Sequence, residues 1–400
     1  MIDTYNNTTP LHPIPTSYRS VTEECIEAMG RIYTENVYSH HEPSADDTEL
    51  QVSLPFPRYQ MHECCNPADS LYQKVVNVKK FDDSIIKLPI DSVIMARDKS
   101  YCAYWLDSRI ESAIFGHVMH ARVLIQVSDE WHLTNQECAV KVMHWSYIND
   151  EYLRNVHENP LMEVSAMQFM LCMDMSDNVM TALEIMSDEC SIFIVMPYFK
   201  DGDLFSCLEQ THYGYHVDEA RYWFSQIVNG VNELHRAGIC HRDLSLENIL
   251  VNGDKCAITD FGLCLRVADP IQGHSRSNKK RPLIAPQGAC GKDYYMAPEI
   301  YENDRKFDPF ASDVWSLGVI LFMMITGSVP FELPSPTDKG YQYIIINSNL
   351  RKVLYSWGRS DLYENYELMD ILERMLDCDP RQRIELEDVI HHPWMTKEFS

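Results

Sequence analysis

The sequence predicts an α+β fold of two lobes, a small β-rich lobe followed by a larger helical one. Two observations carry this prediction. Short runs dense in branched and aromatic residues come first, at 114–127, 137–143, 179–186 and 191–199. Helical periodicity then takes over from Val217, where Phe224, Ile227, Val228, Val231 and Leu234 fall on one face and Gly238 can end the helix. A third supplies the material: 400 residues with 45% hydrophobic and 11% aromatic content are ample for a packed core.

Taken in order, residues 1–98 read as an N-terminal extension, partly flexible. Ser20 to Glu23 has the spacing of a capping box, and Ile26, Met29 and Ile32 share a face, so a short helix over 21–37 is expected, weakened by Gly30. The segment 39–50 and the LPFPRYQ after Gln51–Ser53 are polar and proline-broken and read as a linker. Residues 71–97, richer in Val and Ile, are expected to add a strand or two to the β-rich lobe. The strand-like runs then occupy a lobe over about 104–197, and the helical patterns a lobe over about 198–395. A cleft between two such lobes is where ligands usually bind.

Composition excludes several function classes. With 34 Lys and Arg against 59 Asp and Glu the net charge is −25, a field that repels nucleic-acid phosphates and acidic membranes, so no nucleic-acid partner is expected. The longest apolar run, 314–327, is shorter than the roughly 20 residues a membrane span needs. The 13 scattered cysteines form no paired C-x-x-C knuckles and read as reduced thiols. The N-terminus has no charged leader and apolar stretch, so an intracellular, cytoplasmic or nuclear, protein is expected.

The strongest chemical signal is HRDLSLENIL (241–250) followed by ITDFGLCL (258–265). An aspartate and an asparagine five residues apart, with a second aspartate 12 residues further on, suit metal-assisted phosphoryl transfer. One carboxylate must orient a hydroxyl, and hard oxygen ligands must hold Mg²⁺.

In these motifs the chain resembles the eukaryotic protein kinases, specifically those acting on serine and threonine. The resemblance implies a bilobal protein-kinase-like fold over 104–395, ATP and Mg as cofactors, and protein substrates with Ser or Thr acceptors. It assigns Lys141 of CAVKV to the nucleotide's α and β phosphates, and Glu163 of NPLMEVSAM as its ion-pair partner. Asn159 there reads as a helix cap with Pro160 in the first turn. Asp243 becomes the catalytic base, Asn248 and Asp260 the metal ligands, and Arg242 the anchor for a phosphorylated activation loop. YYMAPE (294–299) closes that segment, with Glu299 expected to pair with Arg383. SDVWSLGVILFMMITG matches a buried central helix whose Asp313 bonds back to the catalytic loop, and HHPW (391–394) the last helix. The adenine pocket would draw on Val118, Ala139, Leu250 and Thr259, with Met196 as gatekeeper, Pro197 and Tyr198 as hinge, and Asp203 on the ribose.

Three departures from the family pattern stand out. The phosphate-covering loop reads ESAIFGHV (111–118), so Ile110, Glu111, Ala113, Phe115, Gly116 and Val118 would approach the nucleotide with only one of three glycines kept. The lysine expected two residues after Asp243 is Ser245, and the threonine expected after Gly291 is Lys292. Together the last two look like an exchange of an ammonium and a hydroxyl, which makes both residues candidates for the catalytic site. An active Ser/Thr kinase is favoured because Lys141, Glu163, Asp243, Asn248 and Asp260 are all present, the alternative being a nucleotide-binding pseudokinase scaffold that the missing glycines and Ser245 would suit. Glu247, where tyrosine kinases carry an arginine, argues against tyrosine specificity. The segment from Gly262 to Ala297 has no threonine, leaving Ser275 and Ser277 as regulatory hydroxyls near the basic NKKR at 278–281.

Overall fold

The computed structural model describes residues 54–57, 60–65, 77–80, 82–89, 92–97, 101–128, 130–150, 158–173, 175–211, 213–267 and 283–397. Apart from Cys172 and Met173 these belong to one compact unit. The expected helix over 21–37, Ser275, Ser277 and the basic run 278–281 lie outside the described residues.

The first lobe is a nine-stranded sheet. Its strands are β1 (His62–Glu63), β2 (Asn77–Lys79), β3 (Ile85–Lys87), β4 (Val93–Ile94), β5 (Cys102–Ala113), β6 (Gly116–Val127), β7 (Glu130–His144), β8 (Glu184–Ser187) and β9 (Ser191–Pro197). The order is β1-β8-β9-β7-β6-β5-β4, with β2 pairing both β3 and β7. The strands expected in 71–97 are therefore present as β2, β3 and β4 and join the same sheet as β5 to β9. The run expected as a strand from Val179 forms one only from Glu184; Val179 itself makes a single parallel bridge to Ile258. Residues 54–57 also differ from the linker reading: Leu54 bridges Arg266 in antiparallel fashion, and Phe56 is buried. Two apolar residues alternating with prolines suit an extended edge contact, and proline density alone does not separate that from a linker.

Helix α1 (Pro160–Leu171), tied to β7 by the Lys141–Glu163 pair, is buried on nearly every side. The helical lobe holds α2 (Leu204–Glu209), α3 (Val217–Arg236), α4 (Pro298–Glu302), α5 (Pro309–Thr326), α6 (Tyr366–Met375) and shorter helices out to Thr396. The five residues predicted to share a face of α3 are all buried there, and Gly238 follows its end at φ +73°. Two small antiparallel two-stranded sheets, β10 (Ile239–Cys240) with β13 (Leu265–Arg266) and β11 (Ile249–Asn252) with β12 (Lys255–Ile258), carry the HRDLSLEN and TDFG sequences in the connections between them. Helix α5 is long and apolar enough to cross a membrane by composition, but it lies buried inside the lobe along almost its whole length. Its apolar run is explained by core packing.

Candidate active site

Strand alternation prepares the cleft. On β7 the side chains of Cys138, Val140 and Val142 enter the core, so Ala139 and Lys141 face the other way. Lys141 lies opposite Val118 of β6 and Ile194 of β9, and Ala139 opposite Met196. Its ammonium donates to both Glu163 carboxylate oxygens at 2.7 Å. Glu163 is presented by the first turn of α1, whose start is fixed because Asn159 Oδ1 accepts the N–H groups of Leu161 and Met162 at 3.1 Å. Burial would lower the Lys141 pKa, but the charges of Glu163 and Asp260 outweigh it and hold the ammonium above its usual range.

Asp260 sits at φ +67° after β12. Burial pushes its carboxyl up, yet the charges of Lys141 and His241 and the Gly262 N–H bring it below its ordinary value, so it is ionised. Carboxylate oxygens of Asp260, Glu163 and Glu158 lie within 4.8 Å of one another. Glu158 belongs to no motif in the sequence. Its methylene fills the space beside Gly262, where a Cβ would come within 2.5 Å of Glu158 Cγ, and the Asn159 N–H donates to the Gly262 carbonyl. Burial, with the charge of Asp260 beside it, raises the Glu158 carboxyl to about 7. The one signal in the chain is an acid directly preceding the Asn159-Pro160 cap; nothing local says where it points.

The loop that begins at His241 is held by α5. Asp313, buried, accepts the backbone N–H groups of His241 and Arg242 at 2.9 Å, and lies 2.9 Å from His235 Nε2. Arg242 adopts φ +67°, a conformation that costs a non-glycine residue energy and persists where surrounding bonds enforce it. Its Nη1 donates to the Leu263 carbonyl at 3.4 Å, while Nε and Nη2 are buried with no hydrogen-bond partner among the described residues.

Asp243 is oriented on both oxygens. Oδ2 accepts from Asn248 Nδ2 at 2.9 Å, and the same amide donates to the Asp243 carbonyl at 2.7 Å. Oδ1 accepts the Lys292 backbone N–H at 3.2 Å. The Lys292 ammonium lies 3.5 Å from Asp243 Oδ2 and donates to Ser245 Oγ at 2.8 Å. Residues 47 apart in sequence thus meet beside the same carboxylate. The approach needs Gly291, at φ +92°, where a Cβ would come 2.8 Å from the Arg242 carbonyl oxygen.

Residues around the cleft vary in what they present. Leu250 pairs with Ala257 and bridges Asp203, and the Thr259 N–H donates to the Asn248 carbonyl. Tyr198 meets His120 edge to face at 4.8 Å. The Asp203 carboxylate caps α2, accepting from the Ser206 N–H and hydroxyl at 2.8 Å. In the variant loop β5 and β6 pair up to Ala113 and Gly116, closing the turn over Ile114 and Phe115. Glu111 is exposed and Ile110 half exposed, whereas Phe115 is buried and its carbonyl accepts the His144 N–H. A Cβ on Gly116 would overlap the Val142 carbonyl oxygen, so this glycine is required by strand packing as well.

Glu299 and Arg383 form the expected pair, at 2.6 and 3.0 Å, fully buried. Tyr295 anchors the same region, its hydroxyl accepting from Leu246 N–H and donating to Glu247. The described cysteines are all free thiols, and burial pushes Cys138 and Cys256 up to about 12, the state of inert packing residues.

Comparison with known proteins gives a match to the protein kinase domain over residues 126–395, which starts beyond the loop carrying Glu111 and Gly116. CBL-interacting protein kinase 5 of Oryza sativa subsp. japonica is 29% identical over 304 residues, 74% of this chain and 56% of that protein. Serine/threonine-protein kinase SAPK5 of the same organism is 33% identical over 225 residues, 56% of each chain. Serine/threonine-protein kinase CHK1 of Saccharomyces cerevisiae is 30% identical over 227 residues, 56% of this chain and 40% of that one. The chain thus spans about half the length of these relatives.

Proposed function

Because the chain belongs to the protein kinase family, matching its domain over residues 126–395, we propose that it transfers the γ-phosphate of ATP to serine or threonine hydroxyls of protein substrates. The observation that carries this reading is the assembled pair of constellations, Lys141 on Glu163 and Asp243 between Asn248 and Lys292.

The donor set beside Asp260 fits a hard cation: a carboxylate kept ionised by the charge of Lys141, with carboxylate oxygens of Glu158 and Glu163 within 4.8 Å. Asp260 and Asn248 would hold Mg²⁺, which when bound neutralises charge on the phosphate oxygens. Lys141, kept protonated and aimed by Glu163, would bind the α and β phosphates. Asp243 would accept the proton of the substrate hydroxyl; its two oxygens are fixed by separate donors, so the carboxylate need not reorganise as the proton moves. Lys292 would supply the ammonium that the family pattern puts two residues after Asp243, with Ser245 supplying the hydroxyl.

A nucleotide-binding scaffold without turnover is the second reading. It is favoured by Glu111 and Ala113 in place of glycines and by Ser245 in place of the family's lysine. A phosphotransfer assay with Mg·ATP and generic protein substrates decides between them. Wild type should incorporate phosphate, and Asp243→Asn or Lys141→Met should lose about 10²- to 10³-fold or more while remaining folded. Equal incorporation by wild type and Asp243→Asn would overturn the enzymatic reading.

A further inference from the structure

Helix α1 carries Glu163, but its own sequence does not determine where it sits. It is 12 residues long, and Pro160, Glu163, Val164, Ala166, Met167, Gln168, Phe169 and Met170 are all buried. A helix apolar on all sides needs cover on all sides. Phe169 is six residues beyond Glu163, about 240° further round the helix at 3.6 residues per turn, so what covers Phe169 is not what binds Glu163.

The cover comes from a segment that precedes the family match by some 70 residues. Phe56, 5% exposed, meets Phe169 edge to face with ring centroids 5.8 Å apart. The Arg266 guanidinium stacks over the same Phe169 ring at 4.5 Å and donates to the Pro55 carbonyl at 3.2 Å. The Leu54 N–H donates to the Arg266 carbonyl at 2.7 Å. Arg266, six residues after Asp260, is itself paired in the β10–β13 sheet with Ile239, two residues before His241. Further along, β1 runs parallel to β8 at the outer edge of the sheet, and the Cys64 N–H donates to the Ser187 carbonyl. The segment is thus attached at both ends, once to the sheet and once where α1, the strand after Asp260 and the root of the catalytic loop meet.

We propose that residues 54–57 are a built-in brace that holds α1 in the position where Glu163 pairs with Lys141, with Phe56 and Arg266 as positioning residues for phosphotransfer. The kinetic consequence rests on the kinase reading; the mechanical one does not. A helix free to move away from the sheet withdraws Glu163, and the share of molecules competent to bind and turn over nucleotide falls accordingly. Removing the Phe56 ring unseats Phe169 on one side and leaves the Lys141 and Asp243 constellations chemically intact.

The test combines hydrogen exchange with kinetics on the full chain. Phe56→Ala should speed amide exchange about ten-fold in 160–171 and in 265–267, leaving α3 at wild-type protection. It should lower kcat/KM for Mg·ATP by about ten-fold with little change in KM for the protein substrate, and Phe56→Leu should restore most of both. Leu54→Pro, which deletes the donor to Arg266 without touching the core, should act in the same direction and serves if Phe56→Ala does not fold. Unchanged exchange in α1, or acceleration spread equally into α3, would overturn the brace. If wild type transfers no phosphate the kinase reading fails, and exchange in α1 still decides whether the brace exists.

Discussion

Ser245 has no exposed surface, and its hydroxyl is taken up by the Lys292 ammonium, which also stands 3.5 Å from Asp243 Oδ2. A lysine can deliver its point charge to one place from either wall of a cleft, because its stem is long and flexible. The consequence is an asymmetric pair of mutations. Lys292→Thr should lower phosphotransfer by removing the charge at Asp243. Ser245→Lys alone should do more damage, since a second ammonium enters a filled, cationic space. The double variant vacates that space and recreates one ammonium and one hydroxyl, so much of the rate should return, with a coupling of about 0.5–3 kcal/mol for groups in one network. Initial rates of the four proteins measure this, and additive effects would mean that the two positions act separately.

At the scale of elements, the helical lobe hangs on a few buried polar ties. Arg383 donates to Glu299 at the start of α4, to the Ala311 carbonyl of α5 and to the Asp377 carbonyl, with its guanidinium 5.1 Å from the Trp315 ring. Removing one partner of such a pair strands the other charge in a medium that solvates it poorly. Arg383→Met should therefore cost about 3–5 kcal/mol of unfolding free energy in urea titrations. Arg383→Met combined with Glu299→Leu should recover a large part, because no uncompensated charge remains. The expectation of this pair came from motif position alone; that it also ties α4 to α5 needed the packed lobe.

Across the whole molecule, acid should unfold the protein partly through Asp313. Burial raises its carboxyl, but the hydrogen bond and charge of His235, the charge of His241 and the Arg242 N–H bring it below its ordinary value. A depressed carboxyl contributes stability that is complete above its unfolded pKa and is lost as pH falls through the folded one. The window therefore opens below about pH 4. Asp313→Asn should be destabilised at pH 7, and the gap between it and wild type should narrow as the pH drops through 4 and below. Thermal midpoints of both proteins at pH 7 and at the lowest pH where each still folds check this. In both, acidification carries the net charge from −25 through zero near pH 4.9 to positive values, so self-repulsion changes alike and drops out of the comparison.

Local pattern sufficed for much of this protein. Lys141 took its role from the family's motif order; the period of α3, the cap at Asn159 and the spacing of Asp243 to Asn248 are written within short windows of the chain. They could be read because each depends on neighbours a few residues away. The contact of Lys292 with Ser245 was anticipated only by comparing two departures from a family pattern, and no local feature fixed its distance. Glu158 beside Asp260, and Phe56 against the Phe169 ring that Arg266 also covers, were not legible at all. Phe56 and Arg266 are 210 residues apart, and an apolar residue among prolines looks alike in a linker and at a packed edge. What separates the two is whether another surface is there to bury it, and that surface exists only once α1 and the β10–β13 sheet have come together.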